Sequence, residues 1–327
     1  MTPPPPIRIA VAGDVHFEGV LAGRLRDPAT ALLPVRRSLA RADLTIVNLE
    51  TSVGTGGRAE PGKRFAFSAG PAAFEALAAA GVDVVAMANN HALDYGRARL
   101  PSTLQAARVA RRADPSLDVV GIGGNRDDAF RPALTEVGTT LVATISASVA
   151  DQDPTADPTS QGAATDDLPG TADAMDPTWL LTEVRRADRD ADVVVAYLHW
   201  GIQGEGCPSA DQRSLAVRLV GAGAALVVGS PAHPLQGDGR LRGGYVAYGL
   251  GNYVWYAPGT GATSRTGVLT LTVQPPAERR DRARVVRTTW QPAVIGQDGL
   301  SAPVTGGAAA DFRANRQALR DCAGLTD

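Results

Sequence analysis

The stretch 84–96, VVAMANNHALDYG, passes within a few residues from an apolar run to two carboxamides, a histidine and an aspartate. Its first half is apolar and β-branched, which is typical of a strand buried on both faces. A strand that only ends in a turn needs Asn or Gly, because these residues adopt the backbone conformations of turns. It does not also need His91 and Asp94, so the stretch predicts a strand whose end carries a functional site.

Seven further apolar runs of the same kind recur along the chain. They begin at residues 7, 44, 117, 140, 191, 224 and 243. Segments rich in Ala, Leu and Arg lie between several of them and begin at residues 71, 97, 177 and 209. This order predicts a layered α/β domain with a largely parallel or mixed sheet. Two alternating stretches near the end, 266–274 and 283–295, predict a second antiparallel sheet or an added sheet edge.

The length and composition suit one folded unit. With 327 residues and 44% hydrophobic composition, we expect a single domain over 1–327 that ends in a β/α extension, 276–327. Residues 151–178 are rich in Asp, Pro, Thr and Ala and have no helical or strand period, which predicts a flexible loop. That loop is either a solvated connection or a lid over a substrate.

Charge and hydropathy exclude several classes of partner. Lys and Arg number 32 against 34 for Asp and Glu, with no dense basic run, so we expect no nucleic-acid partner. No apolar run reaches the length of about 18 residues that a membrane helix needs. The Pro-rich start runs directly into a strand without the pattern of a signal peptide, which predicts a cytoplasmic protein. Cys207 and Cys322 are far apart in sequence, so we expect no disulfide and an inert thiol at Cys207.

The histidines follow the ends of predicted strands. All four occur in this setting, in GDVH (13–16), ANNH (88–91), YLHW (197–200) and GSPAH (229–233). The carboxyl ends of parallel strands share one edge of a sheet, where such folds place their sites. A single histidine there is usually structural, whereas four that occur with Asp14, Glu50 and Asn90 predict a metal centre.

The ligand types restrict the metal. Imidazole, carboxylate and carboxamide groups without thiolate favour Mn, Fe, Zn, Mg or Ca. Six ligands oversupply one ion, so one or two ions are expected, a pair being bridged by a carboxylate. The predicted ligands are Asp14, His16, Glu50, Asn90, His199 and His233.

Other residues are assigned to the substrate. His91, oriented by Asp94, is predicted to act as the acid or base. Lys63 and Arg64 either hold an anionic group or belong to a solvated turn. Phe67 and Trp200 complete the candidate substrate-binding residues, although core packing explains Trp200 as well.

The motifs GDVH, VNLE, ANNHALDYG, LHWG, GSPAHPLQ and YGLGNYVW, taken in order, resemble those of the CapA or poly-γ-glutamate capsule synthesis family. This family is a branch of the calcineurin-like metallophosphoesterases, and the resemblance covers residues 7 to about 273. It implies a four-layer α/β/β/α sandwich with a dinuclear metal site. It also implies that Glu50 replaces a bridging aspartate and that His91 meets developing charge on the substrate.

The resemblance has two departures. Pro231 stands where the closing His-x-His motif has its first histidine, which predicts a weakened or lost second metal position. The start of the chain also shows no signal-peptide pattern, whereas capsule proteins of this family usually work at the cell envelope, so we expect this chain to depart from them in location.

Three functional hypotheses follow. Some family members in lasso-peptide pathways are Cα epimerases of a C-terminal residue, and metal-dependent epimerisation of a peptide is the leading hypothesis. Metal-dependent hydrolysis of a phosphoester or of a poly-γ-glutamate amide is the alternative. A non-catalytic binding module with the same fold is the third. The expected partner is therefore a peptide or poly-γ-glutamate, with no membrane.

Overall fold

Two β-sheets packed face to face form the centre of the molecule. The computed structural model describes residues 4–149, 162–230, 232–257, 261–278 and 281–327. The strands are β1 (Ile7–Val15), β2 (Leu44–Leu49), β3 (Ser52–Val53), β4 (Ser68–Ala69), β5 (Val84–Ala86), β6 (Asp118–Val120), β7 (Ile122–Gly123), β8 (Ala133–Val137), β9 (Thr140–Ser148), β10 (Gly170–Thr171), β11 (Val193–His199), β12 (Leu226–Ser230), β13 (Asp238–Leu241), β14 (Gly244–Ala247), β15 (Asn252–Val254), β16 (Arg265–Gln274), β17 (Arg284–Ile295) and β18 (Ser301–Pro303).

Helices cover the outer faces of both sheets. They are α1 (Pro28–Ala31), α2 (Leu33–Leu39), α3 (Ala72–Ala79), α4 (Leu100–Ala113), α5 (Arg126–Phe130), α6 (Thr178–Asp190), α7 (Ala210–Ala222) and α8 (Gly306–Ala323), with short 3-10 segments at Gly19–Arg26 and Gly261–Thr263. Within the described residues, no helix has both the length and the apolar character needed to cross a membrane.

The first sheet has the order β18-β17-β16-β1-β2-β5-β6, with β15 beside the end of β1. Strands β1, β2, β5 and β6 are parallel, whereas β16, β17 and β18 are antiparallel. The alternating stretches near the chain end therefore form an added edge. The second sheet has the order β13-β14-β12-β11-β9-β8, in which the four central strands are parallel.

Three apolar clusters separate the layers. One lies between helices α1 to α4 and the first sheet, a second lies between the sheets, and a third packs α5 to α7 on the second sheet. Side chains alternate along each strand, so one strand serves two clusters. In β11, Val195 and Tyr197 face the other sheet, whereas Ala196 and Leu198 face the helices. The predicted four-layer α/β/β/α sandwich is confirmed.

The described part of segment 151–178 contains a short strand, contrary to the predicted absence of strand structure. Residues 151–161 and Pro231 lie outside the described residues. Residues 162–178 include β10, which pairs with β7, and the Arg97 guanidinium donates hydrogen bonds to the carbonyls of Ala163 and Pro169. Strand pairing and the hydrogen bonds of the half-buried Arg97 supply stabilisation that the polar composition does not reveal.

The two cysteines are paired, which makes the prediction of no disulfide wrong. Cys207 and Cys322 are joined, with their Cα atoms 5.8 Å apart across a sequence separation of 115 residues. The C-terminal helix brings them together: Arg316 of α8 forms a bidentate ion pair with the buried Asp238 at 2.6 and 2.7 Å. Sequence separation alone cannot show such proximity, because folding determines it.

Candidate metal centre

The predicted ligands Asp14, Glu50 and His199 converge between the two sheets. Asp14 lies near the end of β1, Glu50 follows β2, and His199 ends β11 in the opposite sheet. Their ligand atoms all lie within 4.8 Å of one another, and all three side chains are buried. The sequence analysis predicted a site at the edge of one sheet. In the structure, the ends of strands from both sheets contribute to it.

A β-bulge turns Asp14 toward the other sheet. Val11 pairs with Ile46 and Asp14 with Asn48, so β1 contains one more residue than β2 over this interval. An extra residue reverses the alternation of side chains that follow it. Without the bulge, Asp14 would face the helices, because Val11 already faces the other sheet.

Asn48 is a site residue that the sequence reasoning missed. Its Nδ2 donates a 2.8 Å hydrogen bond to Asp14 Oδ1 and lies 3.4 Å from His199 Nδ1. Its Oδ1 accepts a 3.0 Å bond from Asn89 Nδ2. Asn48 thus orients two predicted metal ligands at once. A fully buried carboxamide inside the apolar strand LTIVNL was the available signal.

Asn90 completes the ligand group. Its Oδ1 lies 2.9 Å from His199 Nε2, and the same imidazole nitrogen lies 3.9 Å from Glu50 Oε1. The loop that holds Asn90 is fixed by Asn89, whose Oδ1 accepts a 3.1 Å bond from the His91 amide. Four of the six predicted ligands therefore form one compact oxygen and nitrogen set.

The electrostatics of this set suit a divalent cation. Burial lowers the pKa of His199 well below its ordinary value, so the imidazole is neutral, as a metal ligand must be. Burial also raises the pKa of the Asp14 carboxyl to about 6, since an anion is costly there without a cation. Asp14 Oδ2 has no hydrogen-bond partner among the described residues. The residues present therefore fit a divalent metal ion.

His16 and His233 lie beside this set rather than in it. His16 Nε2 accepts a 3.0 Å hydrogen bond from the Tyr256 amide, and its ring centroid lies 4.3 Å from that of Trp255. His233 Nδ1 lies 2.7 Å from Asn252 Oδ1, in a residue with a left-handed φ of 65°. Protein groups thus already contact one nitrogen of each ring.

His91 and Asp94 form a pair next to the ligand set. His91 Nδ1 lies 2.6 Å from Asp94 Oδ2, and His91 Nε2 lies 3.7 Å from Glu50 Oε1. Burial lowers the pKa of His91, an effect that Asp94 opposes. The carboxylate orients the ring so that its other nitrogen faces the metal ligands.

The Lys63 side chain is buried and already paired, so it neither belongs to a solvated turn nor faces an incoming anion. Its ammonium group donates to the carboxylate of Asp94 and to the Asn90 carbonyl, and only 4% of the side chain is exposed. Arg64 is exposed, with its guanidinium 5.0 Å from the centroid of the Phe65 ring. The two neighbouring cations therefore have different environments, because the loop turns one inward.

Phe67 and Trp200, both predicted to contact substrate, lie in different places. The Phe67 ring stacks on His91 with centroids 4.0 Å apart, and its amide donates a 2.6 Å bond to Asp94. Trp200 follows His199 directly and so points to the opposite face of β11, into the core below the helices. Its indole donates a 2.8 Å bond to the Tyr248 carbonyl. The substrate-binding prediction is thus wrong for Trp200, because strand alternation turns it from the site.

The two packed sheets with their outer helices form a metallophosphoesterase-like fold. A phosphatase from Mycoplasma pneumoniae matches 88% of this chain and 94% of its own, with a TM-score of 0.53 and 15% identity. A hypothetical protein from Thermus thermophilus matches 88% of this chain and 98% of its own, with a TM-score of 0.50 and 15% identity. At this identity the likeness shows a shared fold.

The chain belongs to the bacterial capsule synthesis protein family PGA_cap, whose model matches residues 8–257. It is 34% identical over 198 residues to the capsule biosynthesis protein CapA of Bacillus anthracis, covering 59% of this chain and 45% of that protein. It is 29% identical over 280 residues to a probable polyglutamine synthesis accessory protein of Mycobacterium tuberculosis, covering 81% and 72%. The chain thus spans less than half the length of that CapA protein. The family prediction is confirmed.

Proposed function

We propose that this chain is a metal-dependent hydrolase that cleaves an amide bond of a polyglutamate-type chain. The relatives carry names that refer to capsule and polyglutamine synthesis, which supports a polypeptide substrate. The buried group of Asp14, Glu50, Asn90 and His199 supports metal dependence.

The position of His91 carries the proposal. Its Nδ1 is held by Asp94 at 2.6 Å, and its Nε2 stands 3.7 Å from the predicted metal ligand Glu50. An oriented imidazole at this place can protonate a leaving amine after an attack on the carbonyl. Asp94 stabilises the charged ring that such proton transfer requires.

The ligand residues supply the rest of the reaction. A divalent ion held by Asp14, Glu50, Asn90 and His199 would polarise the scissile carbonyl and lower the pKa of water. Asn48 keeps Asp14 and His199 in place through its carboxamide nitrogen. Phe67 stacks on His91 and shields the ring from bulk water.

Epimerisation is the second candidate, and the same His91 favours it. The imidazole is as well placed to remove a Cα proton from a bound peptide as to protonate an amine. Exchange between two configurations also requires an acid on the opposite face of the carbon. Hydrolysis needs one acid, and His91 with Asp94 hydrogen-bonded to its ring can supply it, which favours hydrolysis.

The test uses mass spectrometry with poly-γ-glutamate, a phosphoester and a ribosomal peptide, each incubated with the full chain and Mn²⁺. In H₂¹⁸O, hydrolysis gives shorter glutamate chains that carry one ¹⁸O at the new carboxyl end. In D₂O, epimerisation gives uncleaved peptide with one deuterium at Cα. Cleavage of the phosphoester alone would contradict the amide substrate, and deuterium without cleavage would overturn hydrolysis.

A further inference from the structure

The bulge in β1 takes two residues out of register with the neighbouring strands. Ala12 and Gly13 are in register with no residue of β2, β15 or β16, since the β16 pairing ends at Val11 and the β15 pairing begins at Asp14. Ala12 is fully buried. A buried carbonyl needs a hydrogen-bond donor, also where a bulge interrupts the regular ladder of the sheet.

Tyr197 of the opposite sheet supplies that donor. Its hydroxyl donates a 2.8 Å hydrogen bond to the Ala12 carbonyl, and the side chain is 1% exposed. The bond therefore connects the two sheets at the bulge.

The bond joins the strands of two metal ligands at matching positions. Ala12 lies two residues before Asp14 in β1, and Tyr197 lies two residues before His199 in β11. Both ligands lie beyond the bond, at the same end of the sandwich. The separation of Asp14 from His199 thus depends on how closely the sheets approach at Ala12.

We infer that Tyr197 is a positioning residue, whose hydroxyl holds the β1 bulge so that Asp14 and His199 approach each other as metal ligands. The inference rests on the metal site of the proposed function. The inference adds Tyr197 to the proposed metal site as a residue that does not contact the metal.

The experiment compares Tyr197→Phe with Tyr245→Phe. Tyr245 lies in the same inter-sheet cluster, and its buried hydroxyl donates to Asp238. Tyr245→Phe loses the bond to Asp238 and a 3.5 Å bond from Arg316, so it also removes buried hydrogen bonding, but only Tyr197 is joined to the bulge. Mn²⁺ affinity is measured by calorimetry on the full chain, the Mn²⁺ environment by electron paramagnetic resonance, and folding by urea titration.

We expect Tyr197→Phe to weaken Mn²⁺ binding about tenfold or more, the usual effect of losing a group that orients a metal ligand. Its resonance spectrum should change at saturating Mn²⁺. Tyr245→Phe should keep wild-type affinity and spectrum while losing stability. Equal affinities in the two variants would overturn the inference, as would a wild-type chain that binds no Mn²⁺. A wild-type chain that binds Mn²⁺ but cleaves nothing would overturn the proposed hydrolysis alone.

Discussion

Glu50 and His91 approach to 3.7 Å, and we propose different chemical tasks for them. Glu50 belongs to the buried group of Asp14, Glu50 and His199 that we propose as the metal site. His91 is bound to Asp94 through one nitrogen and presents the other. Substitutions at these two residues should therefore separate metal binding from turnover.

Glu50→Gln should release the metal and abolish activity. The amide keeps the volume of the side chain but removes a negative charge, on which binding of a hard divalent cation depends. Metal content after dialysis, measured by mass spectrometry, checks the prediction. If the Glu50→Gln variant retained stoichiometric metal, Glu50 would not be a ligand.

His91→Ala should keep the metal and lower kcat by about 10²- to 10⁴-fold, the usual contribution of a positioned acid or base. Metal content and the rate of cleavage are measured on the same sample. Arg108→Ala, an exposed change on α4, serves as the control and should leave both unchanged. A normal turnover in His91→Ala would contradict the assigned role.

At the scale of elements, the β1 bulge is the feature that orients Asp14. Gly13 makes the bulge possible, because a Cβ atom there would lie 1.7 Å from the Gly251 carbonyl oxygen. That carbonyl also accepts a 3.0 Å hydrogen bond from the Asp14 amide. The two chain segments are thus in contact at the residue that precedes the ligand.

Gly13→Ala should weaken metal binding and destabilise the fold by about 1–3 kcal/mol, the cost of overpacking a tight interior. Urea titration and Mn²⁺ calorimetry give the two values. Gly221→Ala in α7 is the matched control, since a Cβ there meets nothing within 4 Å. It should stabilise the helix by roughly 0.5 kcal/mol. Equal effects of the two substitutions would contradict the role of Gly13.

At the scale of the whole molecule, folding places ionisable groups between layers that exclude water. Burial lowers the pKa of His16 and of His199 well below 6.5, so the unfolded chain binds their protons more tightly. Their contribution to stability is present above about pH 6.5 and is lost as the pH falls below it. Asp14, whose pKa is raised to about 6, contributes in the opposite direction between its unfolded and folded values.

The metal-free protein should therefore lose stability between about pH 6.5 and 5. Three histidines with lowered pKa values, His16, His91 and His199, outweigh Asp14 and Asp83, the two carboxyl groups whose pKa is raised to about 6. Urea titrations at several pH values in the presence of a chelator measure the change. His199→Gln removes one titrating group and should make the dependence shallower. A stability that rises as the pH falls through this interval would contradict the prediction.

The fold class was predictable because periodicity is local. The runs at residues 7, 44, 191 and 224 are too apolar and β-branched for any other role, and all four became central strands. The ordered motifs also identified the family. The partners of Lys63 and Cys207 were not predictable, because Asp94 and Cys322 come near them only after folding.

The sequence by itself determined the α/β layering, the family and the residue types from which the metal ligands come. Which of these residues lie close together is a result of folding. One group contains Asp14, Glu50, Asn90 and His199. His16 and His233 lie beside that group. These distances arise because the two sheets pack face to face across an apolar interior. A one-residue bulge and a cross-sheet hydroxyl determine which side chains face each other there, and neither leaves a periodic signal in the sequence.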